Sequence, residues 1–185
     1  MTPNPTNDLL NNKLRAIIEV AEVLTAQLDL PQLLQSVIEK ITDLLEPAEF
    51  GVILLWDPQA QVFQPQAVWG PALADRAAVL AMRLEPGESV TGRVFAENKA
   101  RLLETETAVA AEKSSLRPAN LLALTHAYGR DILPRSLIAA PITAGQEKYG
   151  VLVLETLRGL LTFAPGDVPF VQALADLIGL EIDRM

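Results

Sequence analysis

Near the N-terminus the apolar residues Leu10, Leu14, Ile17, Ala21, Leu24 and Leu28 recur at spacings of four and three. That is the a/d stripe of just under three heptads, and it predicts a coiled-coil-like helix over residues 8–28. So narrow a stripe needs cover, which is either a partner helix or the chain's own domain. Residues 1–7, with two Pro among polar residues, read as a disordered terminus. Asp29 then offers a cap, Gln32 completes a capping box and Pro31 suits a first turn. The following Leu30, Leu33, Leu34, Val37, Ile38, Ile41, Leu44 and Leu45 keep the period of a core-facing helix that stops at Pro47.

The period then changes. Phe50 to Trp56 is short, apolar on both faces and closed by Asp57-Pro58, which predicts a central strand. Val62 to Trp69 is the next strand, and Pro65 places it at an edge or a bulge. Ala72 to Leu84 reads as helix, broken by Glu85-Pro86-Gly87-Glu88. Ser89 is then the expected N-cap of a short helix carrying Val90, Val94 and Phe95 and ending near Asn98, with a short strand at Arg101 to Glu104. From Thr105 to Arg135 the pattern is mixed, with Pro118 as a breaker, and such irregular segments are where binding groups concentrate. Ser136 to Ile142 and Tyr149 to Glu155 are two strands joined by Gly145 to Lys148. Phe163 to Asp167 opens a last helix to Met185 with two apolar faces, Val168, Val171, Ala175, Ile178, Ile182 on one and Phe170, Leu174, Leu177, Leu180 on the other. A helix apolar on two sides has two partners. Strands with helices gathered at both ends predict an α+β domain, not a repeating βαβ one.

Composition narrows the chemistry. At 185 residues, 50% hydrophobic and 21% charged, the chain is long enough for one domain with a substantial core and a helical extension. No apolar run is long enough to span a bilayer and no signal-peptide pattern opens the chain, so a cytoplasmic location without membrane contact is expected. The formal charge of −8 opposes nucleic-acid binding. With no Cys there are no disulfides, thiolate ligands or thiol nucleophiles. His126, the one His, provides neither a metal cluster nor an oriented base for a Ser nucleophile. The expectation is a chain that is not an enzyme and holds no metal.

Four segments, Gly87-Glu-Ser-Val-Thr-Gly92-Arg-Val94, Ser136 to Pro141, Gly150 to Glu155 and Phe163 to Asp167, stand in the order found in GAF domains, and the chain from residue 29 to 185 resembles that family of signalling sensor modules. The resemblance implies a central antiparallel sheet of five or six strands. It puts the N- and C-terminal helices on one face, and short helices and loops over a ligand pocket on the other. It also implies a regulatory sensor domain that binds a small molecule, forms a homodimer and signals through its terminal helices to an output domain or partner such as a kinase, cyclase or transcription regulator. The alternative is a dimerisation scaffold of the same fold without ligand. Whether the chain is complete or cut from a longer protein stays open.

Several departures bear on the ligand. Cyclic-nucleotide binders of the family carry Asn-Lys on the strand before Phe-x-x-x-Asp-Glu. Here that strand ends Leu154-Glu155-Thr156, Asp167 is followed by Val168, and Asn98-Lys99 lies at a helix end. Members that attach bilins or reduce methionine sulfoxide do so through Cys, which is absent. No cofactor is expected, haem on His126 being the one option, against a plain loop His. Tyr128, Arg130 and Arg135 are the candidate polar groups for a small anionic or aromatic ligand, against a solvated loop whose Arg pair with nearby acids. Trp69 and Phe95 are candidate pocket walls, against ordinary core aromatics.

Overall fold

Why the last third of the chain reads as two strands is plain in the computed structural model, which describes residues 4–26, 29–129 and 133–185. β4 (Ser136–Ala144) and β5 (Glu147–Thr156) form a hairpin closed at Gly145, whose φ of +58° glycine adopts without strain. β5 pairs on its other side with β1 (Phe50–Asp57), which pairs in turn with β2 (Val62–Trp69). β3 (Arg101–Leu103) closes the far edge, giving one antiparallel five-stranded sheet in the order β2-β1-β5-β4-β3. β2 is an edge strand, and the register of β1 against β2 slips where Ile53 faces Ala67 but Leu54 faces Pro65, the bulge that Pro65 predicts.

Alternate residues of the strands feed two separate cores, the period-two consequence of the pleat. On one face Ile53, Ile138, Ala140, Ile142, Leu152 and Leu154 pack under α1 (Pro5–Leu24), α2 (Leu30–Leu44) and α7 (Asp167–Arg184). On the other Val52, Leu54, Leu137, Ala139, Val151 and Val153 pack under α3 (Arg76–Leu80), α4 (Ser89–Glu97), α5 (Glu106–Lys113) and α6 (Pro118–Tyr128). The terminal helices thus share one face and the short helices the other, in an α+β architecture.

Local chemistry moved some boundaries. α1 starts at Pro5, inside the stretch expected to be disordered, because Asn4 accepts a hydrogen bond from Thr6 N (3.2 Å) and Pro sits in the first turn. The helix turns Ala16, Val20 and Leu24 into the core, while Leu10 and Leu14 stay exposed and Ile17 and Ala21 are half-buried. The heptad stripe is therefore divided, its second half covered by the chain's own domain and its first half left bare. Leu28 lies outside the described residues. Glu19 and Lys40, 2.8 Å apart, fasten α1 to α2, and Lys13 reaches Gly166 O (2.9 Å) and Asp167 at the start of α7. α7 lies so close to β4 that a Cβ at Gly179 would meet Thr143 O at 2.2 Å.

The helix expected over Ala72 to Leu84 is confined to Arg76–Leu80. Asp75 caps it through Ala78 N (3.1 Å), and Leu84 leaves to exchange two backbone hydrogen bonds with Phe63. Ser89 is not the N-cap of α4: Glu88 holds that position, and Ser89 is the first helical residue with a left-handed φ of +56°. Its N–H donates instead to Ser115 Oγ (2.7 Å). Asn98 ends the helix as expected, in the left-handed region at φ +52°. Glu49, between α2 and β1, accepts from the backbone N–H of Arg158 (2.8 Å) and Gly159 (2.9 Å) and so ties that junction to the segment leading into α7.

Candidate functional site

The short helices do not close completely on their face of the sheet. Between them and the strands lies a cavity of about 50 Å³, within a pocket whose empty space, mouth included, is about 470 Å³. Phe50, Val52 and Leu54 of β1, Leu137 of β4 and Val153 of β5 form its floor. Val79, Met82, Leu84, Val90, Leu116 and Leu124 form the walls and cover. Into this apolar lining come, among the described residues, the four polar side chains Ser89, Thr91, Lys113 and Glu155.

Lys113 is the last residue of α5, a helix fixed at its start by Thr105 Oγ1 on Ala108 N (3.1 Å). Its ammonium donates to Glu155 Oε1 at 2.8 Å, with the two side chains only 14% and 3% exposed. Glu155 stands near the end of β5, flanked across the sheet by Phe50 and Leu137. Its second oxygen accepts from Tyr128 Oη at 2.6 Å. Tyr128 ends α6, stopped there by Gly129 at φ +71°, and its buried ring meets Phe50 edge-on at 5.4 Å. Burial, then the adjacent Glu155 carboxylate and its hydrogen bond, push the Tyr128 phenol well above its ordinary value of 10.0, so it remains a donor. A buried charge pair is costly unless each member is fully bonded, and here Glu155 has a partner at each oxygen.

A second polar cluster holds the cover in shape. The buried Glu88 carboxylate accepts from Glu85 N (2.7 Å), Arg117 N (2.7 Å), Arg117 Nε (3.0 Å) and Asn120 Nδ2 (2.8 Å). Burial alone would raise its pKa, yet these hydrogen bonds together hold it below the ordinary 4.5. The stability this contributes is present above that value and lost as pH falls through the lower folded-state pKa. Through Glu88 the break before α4 and the joint between α5 and α6 become one unit, leaving the pocket wall pre-formed.

Of the residues singled out in sequence, Tyr128 stands directly behind the lining, with its hydroxyl on Glu155. Arg130 lies outside the described residues. Arg135 turns its guanidinium to Gly159 O (2.5 Å), away from the lining. Trp69 ends β2 at 38% exposure. Phe95 packs between Trp56 (5.5 Å) and Phe63 (5.1 Å), with the Lys148 ammonium 5.6 Å from its ring centre. His126 is exposed on α6. None of these last four lines the pocket.

The charged groups that do line it, Lys113 and Glu155, escaped the sequence reading although one signal was available. Glu155 is a lone carboxylate at the end of Gly150-Val-Leu-Val-Leu, a run buried on both faces, and a charge in such a place requires a partner. The partner's identity depends on where α5 ends, which sequence did not fix. The arrangement can orient a polar head against a cation, an anion and two hydroxyls while an apolar body fills the floor. Among the described residues no three of His, Cys, Asp and Glu gather to hold a metal. Among them, too, no helix is long and apolar enough to cross a membrane.

Comparison with known proteins accords with this fold. The sequence model described as "GAF domain" matches residues 27–183. Among solved structures, the GAF domain of a phosphoenolpyruvate-protein phosphotransferase from Coxiella burnetii is 22% identical, with 94% of each chain covered and a TM-score of 0.75. The GAF domain of the Acinetobacter phosphoenolpyruvate-protein phosphotransferase is 16% identical, with 92% of each covered and a TM-score of 0.74. The free methionine-R-sulfoxide reductase of Neisseria meningitidis, solved with its substrate, is 15% identical, covers 99% of this chain and 93% of its own, and has a TM-score of 0.69. At these identities the likeness is one of fold. No curated protein sequence matches significantly.

Proposed function

Because this chain belongs to the GAF domain family, whose members are generally sensor and regulatory modules, we propose that it is a non-enzymatic cytoplasmic sensor that binds a small molecule and signals as a homodimer. The observation that carries this reading is the pocket itself, an apolar cavity with the buried Lys113–Glu155 pair in its wall. It lies on the sheet face opposite the terminal helices, and β1 and β5 contribute alternate residues to both sides. A ligand that favours one packing of the pocket wall thereby biases the packing of α1, α2 and α7, by at most its differential affinity for the two packings. The helices pass the change to an output domain or partner of the kinase, cyclase or transcription-regulator kind.

A reductase of the Neisseria type is among the similar folds, but thiol chemistry has no residue here because the chain has no Cys. His126, exposed on α6, lacks the enclosed setting of a haem ligand, and the proposal includes no bound cofactor. The protein is expected to be colourless as purified.

Thermal unfolding in the presence of fractionated metabolite pools, with native mass spectrometry of whatever remains bound, tests the ligand. A specific binder at a hundredfold excess over its dissociation constant adds about 2.7 kcal/mol to the folded state, a shift of several degrees. If no fraction shifts the transition and the protein is still dimeric, the ligand-free scaffold reading replaces this one.

Dimerisation rests on the bare half of the α1 stripe. Leu10 and Leu14 of that stripe, with Ile18 one turn beyond them, are each more than half exposed, at 65, 55 and 51%. A second copy of the same helix would bury them, with an affinity on the order of micromolar for so short a seam. The variant Leu10→Glu/Leu14→Glu is expected to be monomeric by light scattering with the domain still folded by circular dichroism. Leu24→Glu, at a position in the seam but 4% exposed within its own chain, should instead unfold the domain. A wild-type protein that is monomeric at tens of micromolar would remove the dimer from the proposal.

A further inference from the structure

We propose that the pocket is built for a zwitterion with an apolar body, of the aliphatic α-amino-acid class, whose carboxylate takes Lys113 and whose ammonium takes Glu155. This rests on reading the pocket as a ligand site, and it names the chemistry of the occupant.

The balance of charge at this buried wall sets the class of ligand. Lys113 and Glu155 are opposite charges 2.8 Å apart, nearly fully buried, at the edge of a cavity otherwise lined mainly by aliphatic side chains. An anion that draws Lys113 away leaves Glu155, among the described residues, with Tyr128 as its one remaining side-chain partner. A cation that takes Glu155 strands the ammonium. Either outcome exposes a buried charge without compensation, a strongly unfavourable change. A zwitterion entering between them avoids both losses, because each protein charge exchanges one opposite partner for another and the net charge of the pocket does not change.

Three further features fit the two ends of such a molecule. Tyr128 Oη holds the second oxygen of Glu155 from behind at 2.6 Å, so the carboxylate stays anchored while the oxygen that faced Lys113 accepts the ligand's ammonium. The Lys113 stem is a flexible chain of methylenes at the end of a helix, the member of the pair able to yield. Beside it, Ser89 and Thr91 come from the first turn of α4, whose N-cap residue Glu88 turns its carboxylate to Glu85, Arg117 and Asn120 and caps no amide of that turn. Their hydroxyls and the positive end of that helix favour a carboxylate. The remaining floor, Val52, Leu54, Leu137 and Val153, matches a branched or unbranched aliphatic side chain and offers no partner for a second polar group.

The test is calorimetric titration and thermal unfolding of the whole chain with L-valine, L-leucine and L-methionine. Alongside them run 4-methylpentanoate, which is leucine without its ammonium, and 3-methylbutylamine, which is leucine without its carboxylate. At least one of the three amino acids is expected to bind saturably, and both truncated compounds at least tenfold more weakly. Lys113→Met should lose this binding and Lys113→Arg should keep it. Equal binding of 4-methylpentanoate and L-leucine overturns the proposal even if Lys113→Met does not fold. A fraction of the metabolite pool that stabilises the protein while all three amino acids fail overturns it as well, leaving the pocket reading intact. Failure of every compound and every fraction removes both.

Discussion

Lys113→Met is expected to lower the stability of the fold by about 3–5 kcal/mol, the usual result of stripping one partner from a buried ion pair. Glu155 would retain the Tyr128 hydroxyl but lose the ammonium at 2.8 Å, in a wall of Phe50, Leu137 and Val153. Since a domain's total stability is only about 5–15 kcal/mol, denaturant titration should show a large fall in midpoint. The diagnostic comparison is Lys113→Met/Glu155→Gln, which removes both charges and keeps an acceptor for Tyr128. It should recover most of the loss, because the cost of the single change lies in the unpaired charge. A double variant as unstable as the single one would show that the pair holds the fold by packing alone.

Gly92→Ala should be as damaging for a different reason. A Cβ at residue 92 would stand 1.6 Å from Pro86 O and 2.5 Å from Pro86 C, both backbone atoms that no rotamer change can move. Relief requires α4 to retreat from the 85–88 break, yet Glu88 in that break is tied to Arg117 and Asn120. Overpacking a well-packed interior costs about 1–3 kcal/mol, and with fixed backbone in the way the loss here should lie at or beyond the top of that range. Gly87→Ala, five residues earlier with open space around its Cβ position, is the control and should be neutral within about 0.5 kcal/mol. Comparable midpoints for the two variants would mean that the close approach of α4 to Pro86 is not maintained in solution.

These residues also mark where sequence was legible. Both terminal helices, the apolar strands, the bulge at Pro65 and the end of α4 at Asn98 follow from period, proline and cap chemistry, all local signals. The rotation of α1 was not local. Its a/d stripe and its buried face, Ala16, Val20 and Leu24, differ by part of a turn, and the choice between them is made by α2 packing alongside. The site suffered the same limitation more severely. Aromatic and arginine side chains in an irregular segment were reasonable candidates, but Arg135 was claimed by a carbonyl 24 residues away and Phe95 by an aromatic cluster. Lys113 and Glu155 are 42 residues apart in sequence, and only the closing of α5 over β5 makes them a pair.

The sheet order has a consequence for synthesis. β1 is a central strand whose two neighbours are β2, immediately after it, and β5, whose register runs from Gly150 opposite Leu55 to Glu155 opposite Phe50. On a ribosome that adds about 5–20 residues each second, β1 emerges many seconds before its second neighbour exists. During that interval it presents an open edge and two apolar faces, the template on which strands of other chains pair. Contacts this distant in sequence also slow folding once the chain is released. The nascent chain, with β1 complete and β5 still unmade, is therefore the form of this molecule that most needs a chaperone.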